Sequence, residues 1–272
     1  TTESVIDSNG RNLSNQTIVW NDPTNPNWYE QFIKVVNSAI PVISQFGNPE
    51  NAGTVSGVKC EQYRFNGINT EVPIYSFSKP ISGKNTTFEV VSTTFENNAS
   101  IYEEAPSAGN NLSFLYRNDG RGASSANTGF FLHFRQGTLQ QGQFNVTRPG
   151  PNEKVDLDAV NVNDTDVWLY SVDSLGTELE LWAKVEATSG NNVIYNSVSK
   201  NQRKIYSVLS RINDRISFMF ADGVFGDIPS GRMKAYYRTS NGLSYTINPA
   251  DITGVVIDVP YVSHAGKQES IR

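Results

Sequence analysis

The stretch ISFMFADGVFGDIPSGRMKAYYRTSNG, Ile216 to Gly242, carries the pattern from which the fold of this chain can be read. Its two ends, Ile216–Phe220 and Met233–Arg238, are short runs rich in aromatic and apolar residues, the signature of strands. Between them Asp222-Gly223 supplies turn chemistry, Gly223 and Gly226 permit positive φ, and Pro229 stiffens a second turn ahead of Gly231. Phe225 is expected to fold back onto the sheet as a plug. The segment therefore predicts a strand, a tight turn, an aromatic-anchored loop and a second strand, with Asp222–Gly231 an architectural connection and not a ligand site.

The same strand pattern recurs on both sides. Upstream it predicts strands at Val58–Phe65, at Val72–Ser78 ending before Lys79-Pro80, and at Phe88–Phe95, Ser113–Arg117, Phe130–Arg135, Leu139–Val146, Val167–Val172 and Leu179–Ala187. Downstream Ile252–Val262 is strongly β-branched and reads as one strand. Ile205–Ile212 fits either a strand or the end of a short helix. The connections are rich in Gly, Asn and Ser, and two are long, Glu96–Asn111 and Thr147–Asp166. Asn occurs 29 times and Ser 28 times, residues that compete with helical hydrogen bonds and favour turns. One segment breaks the pattern. In Asn27–Phe46, Trp28, Phe32, Val35, Val36, Ala39, Val42, Ile43 and Phe46 recur at helical spacing, with Pro26 at the entry, Pro41 as a kink, and Gly47 and Pro49 as a stop.

These patterns predict a mainly β (α+β) protein, an antiparallel β-sandwich or barrel-like body with a small N-terminal helical element. Three parts are expected: a small α+β region over residues 1–86 with its helix at about 27–46, a β-rich body over 87–245, and a C-terminal strand and tail over 246–272. The chain does not begin with Met, and the expectation is a piece of a longer protein whose tail leads into a missing region.

Composition narrows the function classes. The 272 residues carry 22 Lys+Arg against 27 Asp+Glu, a net charge of −5. The densest basic stretch, Lys200–Arg215, is short, so a nucleic-acid partner is not expected. No run of about 18 apolar residues exists to form a membrane-spanning helix, and a membrane partner is not expected either. Cys60 is the single cysteine, which excludes an intrachain disulfide framework. Seven Asn-x-Ser/Thr sequons follow from the abundance of Asn, Ser and Thr and are not expected to be glycosylated, since Thr1–Gly10 does not read as a signal peptide and a single cysteine builds no disulfide framework.

Catalytic patterns are sparse. His133 and His264 are isolated, and no His-x-x-x-His, Cys-x-x-Cys, Gly-x-Ser-x-Gly or phosphate-binding glycine loop occurs. Asp156, Asp158, Asp164 and Asp166 cluster in one loop region and could offer oxygens to calcium, but without the Gly and distal Glu of an EF-hand. Glu103, Glu104, Glu178 and Glu180 are candidates for a glycosidase carboxylate pair. The simpler reading of both groups is solvated acid. No catalytic residue, cofactor or metal is expected.

The Ile216–Gly242 stretch resembles the hallmark of the baseplate J-like family of contractile-tail bacteriophages, and most of all the wedge proteins of T-even phages. The family pattern is a strand, then Phe-Gly-Asp-Gly-x-x-Gly-x-x-Pro-x-x-Gly, then a strand ending in Tyr-Arg and a Gly-containing turn. Phe220, Asp222, Gly223, Gly226, Pro229, Gly231, Tyr237, Arg238 and Gly242 match it. Ala221 stands where the family has its first Gly, and the spacing after Pro229 is one residue shorter. The resemblance implies a structural virion protein of the tail baseplate, not an enzyme. Such a protein is assembled in the host cytoplasm, self-associates as a homodimer within the baseplate ring, binds other wedge proteins, and takes part in the rearrangement on tail contraction. The alternative is a carbohydrate- or receptor-binding β module of a tail fibre, with Trp20, Trp28, Trp168 and Trp182 as stacking faces. A polysaccharide-degrading enzyme is a third reading.

Overall fold

The computed structural model describes residues 48–55, 58–65, 72–96, 100–109, 112–122, 124–188, 202–241, 247–262 and 266–271. The protein is mainly β. Eighteen strands occur among these residues. In chain order they are β1 Asn48–Val55, β2 Val58–Phe65, β3 Tyr75–Ile81, β4 Lys84–Val91, β5 Thr93–Glu96, β6 Ser100–Glu103, β7 Leu112–Asn118, β8 Gly129–Phe131 and β9 His133–Gln136. There follow β10 Thr138–Val146, β11 Lys154–Leu157, β12 Val162–Val172, β13 Glu178–Lys184, β14 Ile205–Arg211, β15 Arg215–Phe220, β16 Gly231–Thr239, β17 Val259–Val262 and β18 Gln268–Ile271. The helix expected at 27–46 lies outside the described residues.

The largest sheet has seven strands in the order β10-β16-β12-β13-β14-β15-β11. All its pairings are antiparallel except β13 with β14. It curls into a half barrel. Phe144 on β10 and Phe218 on β15 sit near opposite ends of the strand order, yet their rings stack with centroids 5.7 Å apart. Gly142 of β10 also lies close to Leu157 of β11, since a Cβ built on it would be in ordinary van der Waals contact with that side chain at 3.7 Å. The concave face is filled by Val146, Leu169, Trp182, Tyr206, Ile216, Phe218, Phe220, Met233 and Ala235, all buried. This cluster is the principal apolar term in the stability of the sheet.

Smaller sheets complete the described structure: β1-β2-β7-β8, β3-β4-β9, β5-β6 and β17-β18. Tyr63, Val90, Leu112, Phe114 and Val259 join three of them in a second core. The β3–β4 hairpin turns on Ser82 and Gly83, with φ of 49° and 75°, the two positive values a two-residue turn needs to follow the strand twist.

Several expectations require correction. Lys79-Pro80 does not end a strand; β3 continues to Ile81, because β3 is an edge strand and an edge position tolerates a proline. The run Phe88–Phe95 is cut at Ser92, and Phe130–Arg135 at Leu132, because in each case the chain passes from one sheet to another. Ser92 is held at its corner by backbone hydrogen bonds: its carbonyl accepts from Glu104 N–H and its hydroxyl from Ser113 N–H. The segment Glu96–Asn111 is not all loop, since it contains β6, and Thr147–Asp166 contains β11 and the start of β12. Ile205–Ile212 resolves as strand β14. Ile252–Val262 is not one strand: Pro249–Ile252 is a single 3-10 turn, Gly254 has φ of 75°, and the strand is confined to Val259–Val262. There the Asp251 carboxylate accepts from Asn248 N–H at 2.7 Å, a local hydrogen bond that outweighs β propensity. The expected boundary between residues 86 and 87 falls inside β4, which pairs with β3 before it and β9 after it.

Candidate functional site

The motif strands β15 and β16 are not neighbours. Three strands, β12, β13 and β14, lie between them in the sheet, so residues 221–230 cross one end of the half barrel instead of closing a hairpin. The loop begins on Ala221, fully buried, whose carbonyl accepts from Asn152 N–H. The Asp222 carboxylate then accepts from the backbone N–H of Val224 at 2.8 Å and of Phe225 at 3.2 Å. These bonds hold its carboxyl below the usual carboxylate range. Arg203 clamps the other side. Its guanidinium donates to the carbonyls of Gly223 and Val224 and to the carboxylate of Asp227, while its own carbonyl accepts from Asp227 N–H.

The glycines have distinct tasks. Gly223 has φ of 90°, and a Cβ there would also lie 3.1 Å from Ile228. Gly226 is a packing position: a Cβ would meet Ile205 at 2.6 Å, Ala221 at 2.7 Å and the Arg203 carbonyl at 2.9 Å. Gly231 has φ of 78° at the entry to β16, and Pro229 is buried. Phe225 corrects the plug expectation. Its ring is 40% exposed and Val224 is 69% exposed. With Asp222 and Arg203 holding the backbone, the aromatic is not needed to anchor the loop.

The far end of β16 carries Tyr237, which packs against the concave core, and Arg238. Gly242 lies outside the described residues. Arg238 is 1% exposed and is the largest fully buried side chain among the described residues. Its Nε donates to Glu89, Nη1 to Glu103 and Asp166, and Nη2 to Glu103, at 2.9–3.1 Å. Glu103 also accepts from Arg135 at 2.9 Å. A planar guanidinium with a fork of donors can make this set of bonds; a lysine ammonium cannot. The partners come from β4, β6 and β12, so Arg238 ties the seven-stranded sheet to two smaller ones. The cluster holds one more carboxylate than guanidinium. Burial raises the Glu89 carboxyl above its ordinary value, against the lowering effects of the Leu139 N–H bond and Arg238. Arg238 is driven further toward the charged form: burial opposes this, but the bond and charge of Glu103, then Glu89 and Asp166, prevail.

The chain belongs to the family described as "Domain of unknown function (DUF8360)". The family's profile matches residues 1–272. No curated protein and no solved structure matches the chain.

In this DUF8360 chain a second cluster adjoins the first. Glu178 accepts from the hydroxyls of Ser107 and Tyr236, from Lys234 at 2.9 Å and from Ala108 N–H at 3.2 Å. Burial pushes its carboxyl up, but the bonds from Ser107, Tyr236 and Lys234 outweigh that and leave it below its ordinary value. A cleft of about 540 Å³ opens between the clusters, lined by Glu89, Lys234, Tyr236, Gln140 and Gln141. Its charged walls are engaged within the chain, Glu89 with Arg238 and Lys234 with Glu178.

The other nominated acids are placed apart. Asp166 joins Arg238; Asp156 meets Arg211, Lys154 and Ser217; Asp164 accepts from Ser210; the Asp158 side chain is 97% exposed. The candidate carboxylates for acid-base chemistry each face a cation: Glu103 faces Arg238 and Arg135, Glu104 faces Arg64, Glu178 faces Lys234, and Glu180 faces Lys204. His133 is half-buried, and burial followed by the charge of Arg135 holds its imidazole below its usual range. Trp182 is buried in the concave core, and Trp168 lies on the opposite face with the Arg238 guanidinium 5.9 Å from its ring. Trp20 and Trp28 lie outside the described residues. Sequence reasoning singled out Arg238 as a motif match, but Glu89 carried no signal of its own.

Proposed function

We propose that this chain is a structural subunit of the baseplate of a contractile phage tail. It is a wedge component that pairs with itself, binds other wedge proteins and takes part in the rearrangement on contraction. It is assembled in the host cytoplasm and carried in the virion, and its role is architectural and not catalytic. In this reading the curled sheet is the barrel-like body, with two of the smaller sheets joined to it through Arg238.

One observation supports the reading above others: the residues shared with the baseplate pattern occupy positions with a strict physical demand. Gly223 and Gly231 have positive φ, Gly226 admits no Cβ without displacing neighbours, and Arg238 makes four hydrogen bonds to three buried carboxylates. The resemblance thus involves the residues that shape this part of the fold. Immunogold labelling of purified virions with antibodies raised against the chain tests the proposal. Label confined to the distal end of the tail is expected; label on the capsid, or on no part of the particle, overturns it.

A further inference from the structure

The half barrel and the β3-β4-β9 sheet are built around different cores. The concave core draws on β10 and the strands after it, from Phe144 to Tyr237. β4 and β9 instead give Val90 and Phe134 to the second core, with Tyr63, Phe114 and Val259. β4 is tied to the half barrel by polar bonds. Leu139 N–H donates to Glu89 Oε1 at 2.8 Å, Arg238 Nε donates to Glu89 Oε2 at 3.1 Å, and Gly137 N–H donates to the Thr87 carbonyl at 2.9 Å. Val72, ahead of β3, adds an apolar contact to the cluster of Tyr170, Val172 and Tyr236. A junction made largely of charged and polar groups responds to its own protonation more than an apolar one does.

Glu89 meets charge from several elements. β16 supplies Arg238, and Glu103 of β6 and Asp166 of β12 share that guanidinium. β9 supplies Arg135, which stands opposite Glu89 in the ladder but donates to Glu103, and His133, held below its usual range by burial and then by Arg135. β3 places the uncharged Ser76 opposite Glu89, and Lys234 across the cleft is paired with Glu178. With Glu89, Glu103 and Asp166 all ionised against Arg238 and Arg135, the junction holds one surplus negative charge out of water, which is costly. A proton on Glu89 removes the surplus and breaks neither bond, since a neutral carboxyl keeps acceptor capacity on its oxygens. Glu89 also lines the cleft of about 540 Å³, so this proton has a route to solvent. Burial raises the Glu89 carboxyl in the same sense.

We propose that this junction is a proton-operated clasp: it is closed with a proton on Glu89, and when that proton leaves through the cleft the β3-β4-β9 sheet loosens from the half barrel while the concave core stays intact. The clasp goes beyond the architectural role proposed above and does not depend on it. Residue-resolved hydrogen exchange on the full 272-residue chain tests it, with protection followed as pH rises from 4.5, the ordinary value for glutamate. A carboxyl raised in the closed state favours closure at low pH, and that contribution is lost as pH rises through the raised value. Protection at the amides of Gly137 and Leu139, which donate across the junction, is expected to fall by about tenfold for each unit by which closure raises the carboxyl. The amides of β12 and β15 are expected to keep theirs, since local opening leaves the core protected. Glu89→Gln, which cannot ionise, should keep both junction amides protected at every pH. Asp166→Asn removes the surplus acid while leaving Glu89 in place, and should also keep them protected through the rise. Wild-type junction protection that does not change with pH, or that is lost together with the protection of β12 and β15, overturns the clasp. A Glu89→Gln variant with the wild-type pH dependence places the proton elsewhere and overturns it too. If Glu89→Gln does not fold, Asp166→Asn decides, and an undiminished pH dependence there overturns the proposal.

Discussion

The two ends of the Ile216–Gly242 motif invert the ordinary rule of burial. At one end a guanidinium, Arg238, is 1% exposed; at the other an aromatic ring, Phe225, is 40% exposed. Each inversion has an identifiable compensation. Arg238 meets three carboxylates in good geometry, which offsets the desolvation that a buried charge would otherwise suffer. Phe225 is partly exposed on a backbone that is held by polar contacts from Asp222 and Arg203. The comparison teaches a division of labour: the arginine end holds the sheets together, and the loop end is shaped to be displayed.

The largest effect is expected at the arginine end. Arg238→Met leaves Glu89, Glu103 and Asp166 without their shared cation, and should lower unfolding free energy by about 3–5 kcal/mol in a urea titration. Arg238→Lys should recover part of that loss, since a point charge cannot pair with Glu103 bidentately. Equal stability of Arg238→Met and wild type would break the comparison at its buried end.

Within the loop, the glycines and not the aromatic should be sensitive. Gly226→Val forces methyl groups into space already occupied at 2.6–2.9 Å, and overpacking of this kind costs about 1–3 kcal/mol. Gly223→Val places a β-branched residue at φ of 90°, a strained conformation of similar cost, about 1–3 kcal/mol. Thermal melts of both variants check this.

Acid should act on the two carboxylate clusters with opposite sign. Glu178 has a folded pKa below its ordinary 4.5, so its contribution is present above that value and is lost as pH falls through the depressed one. Glu89 is raised above its ordinary 4.5, so the folded state takes up a proton there, and its contribution declines as pH rises from 4.5 through the raised value. Glu178→Gln should therefore flatten the fall of melting temperature below pH 4.5, and Glu89→Gln should flatten the slope above it. Unaltered slopes in both variants would count against these assignments.

Much of the sheet was legible in the sequence because strand alternation is local. Val58–Phe65 is observed with the expected bounds, and the strands around Leu139–Val146 and Ile216–Phe220 extend by one residue at their starts. Changes of sheet at Ser92 and Leu132 were not legible, since an alternating run looks the same whichever strands it pairs with. The Arg238 cluster was hidden for a related reason. Its bonds to Glu89 and Glu103 span 149 and 135 residues, and no spacing rule links groups so far apart. The partial exposure of Phe225 was not legible, because aromatic character favours burial in general, and the Arg203 clamp on its loop is made by a residue outside the motif.

The melting temperature of Phe225→Ala is the most direct test of this division of labour. If the ring were a buried plug, its removal would cost about 3–5 kcal/mol. With the ring exposed and the loop held by Asp222 and Arg203, the cost should be about 1 kcal/mol or less, leaving the melting temperature close to that of the wild type. A fall as large as that of Arg238→Met would contradict the account, because it would make the loop end as much a part of the fold as the arginine end.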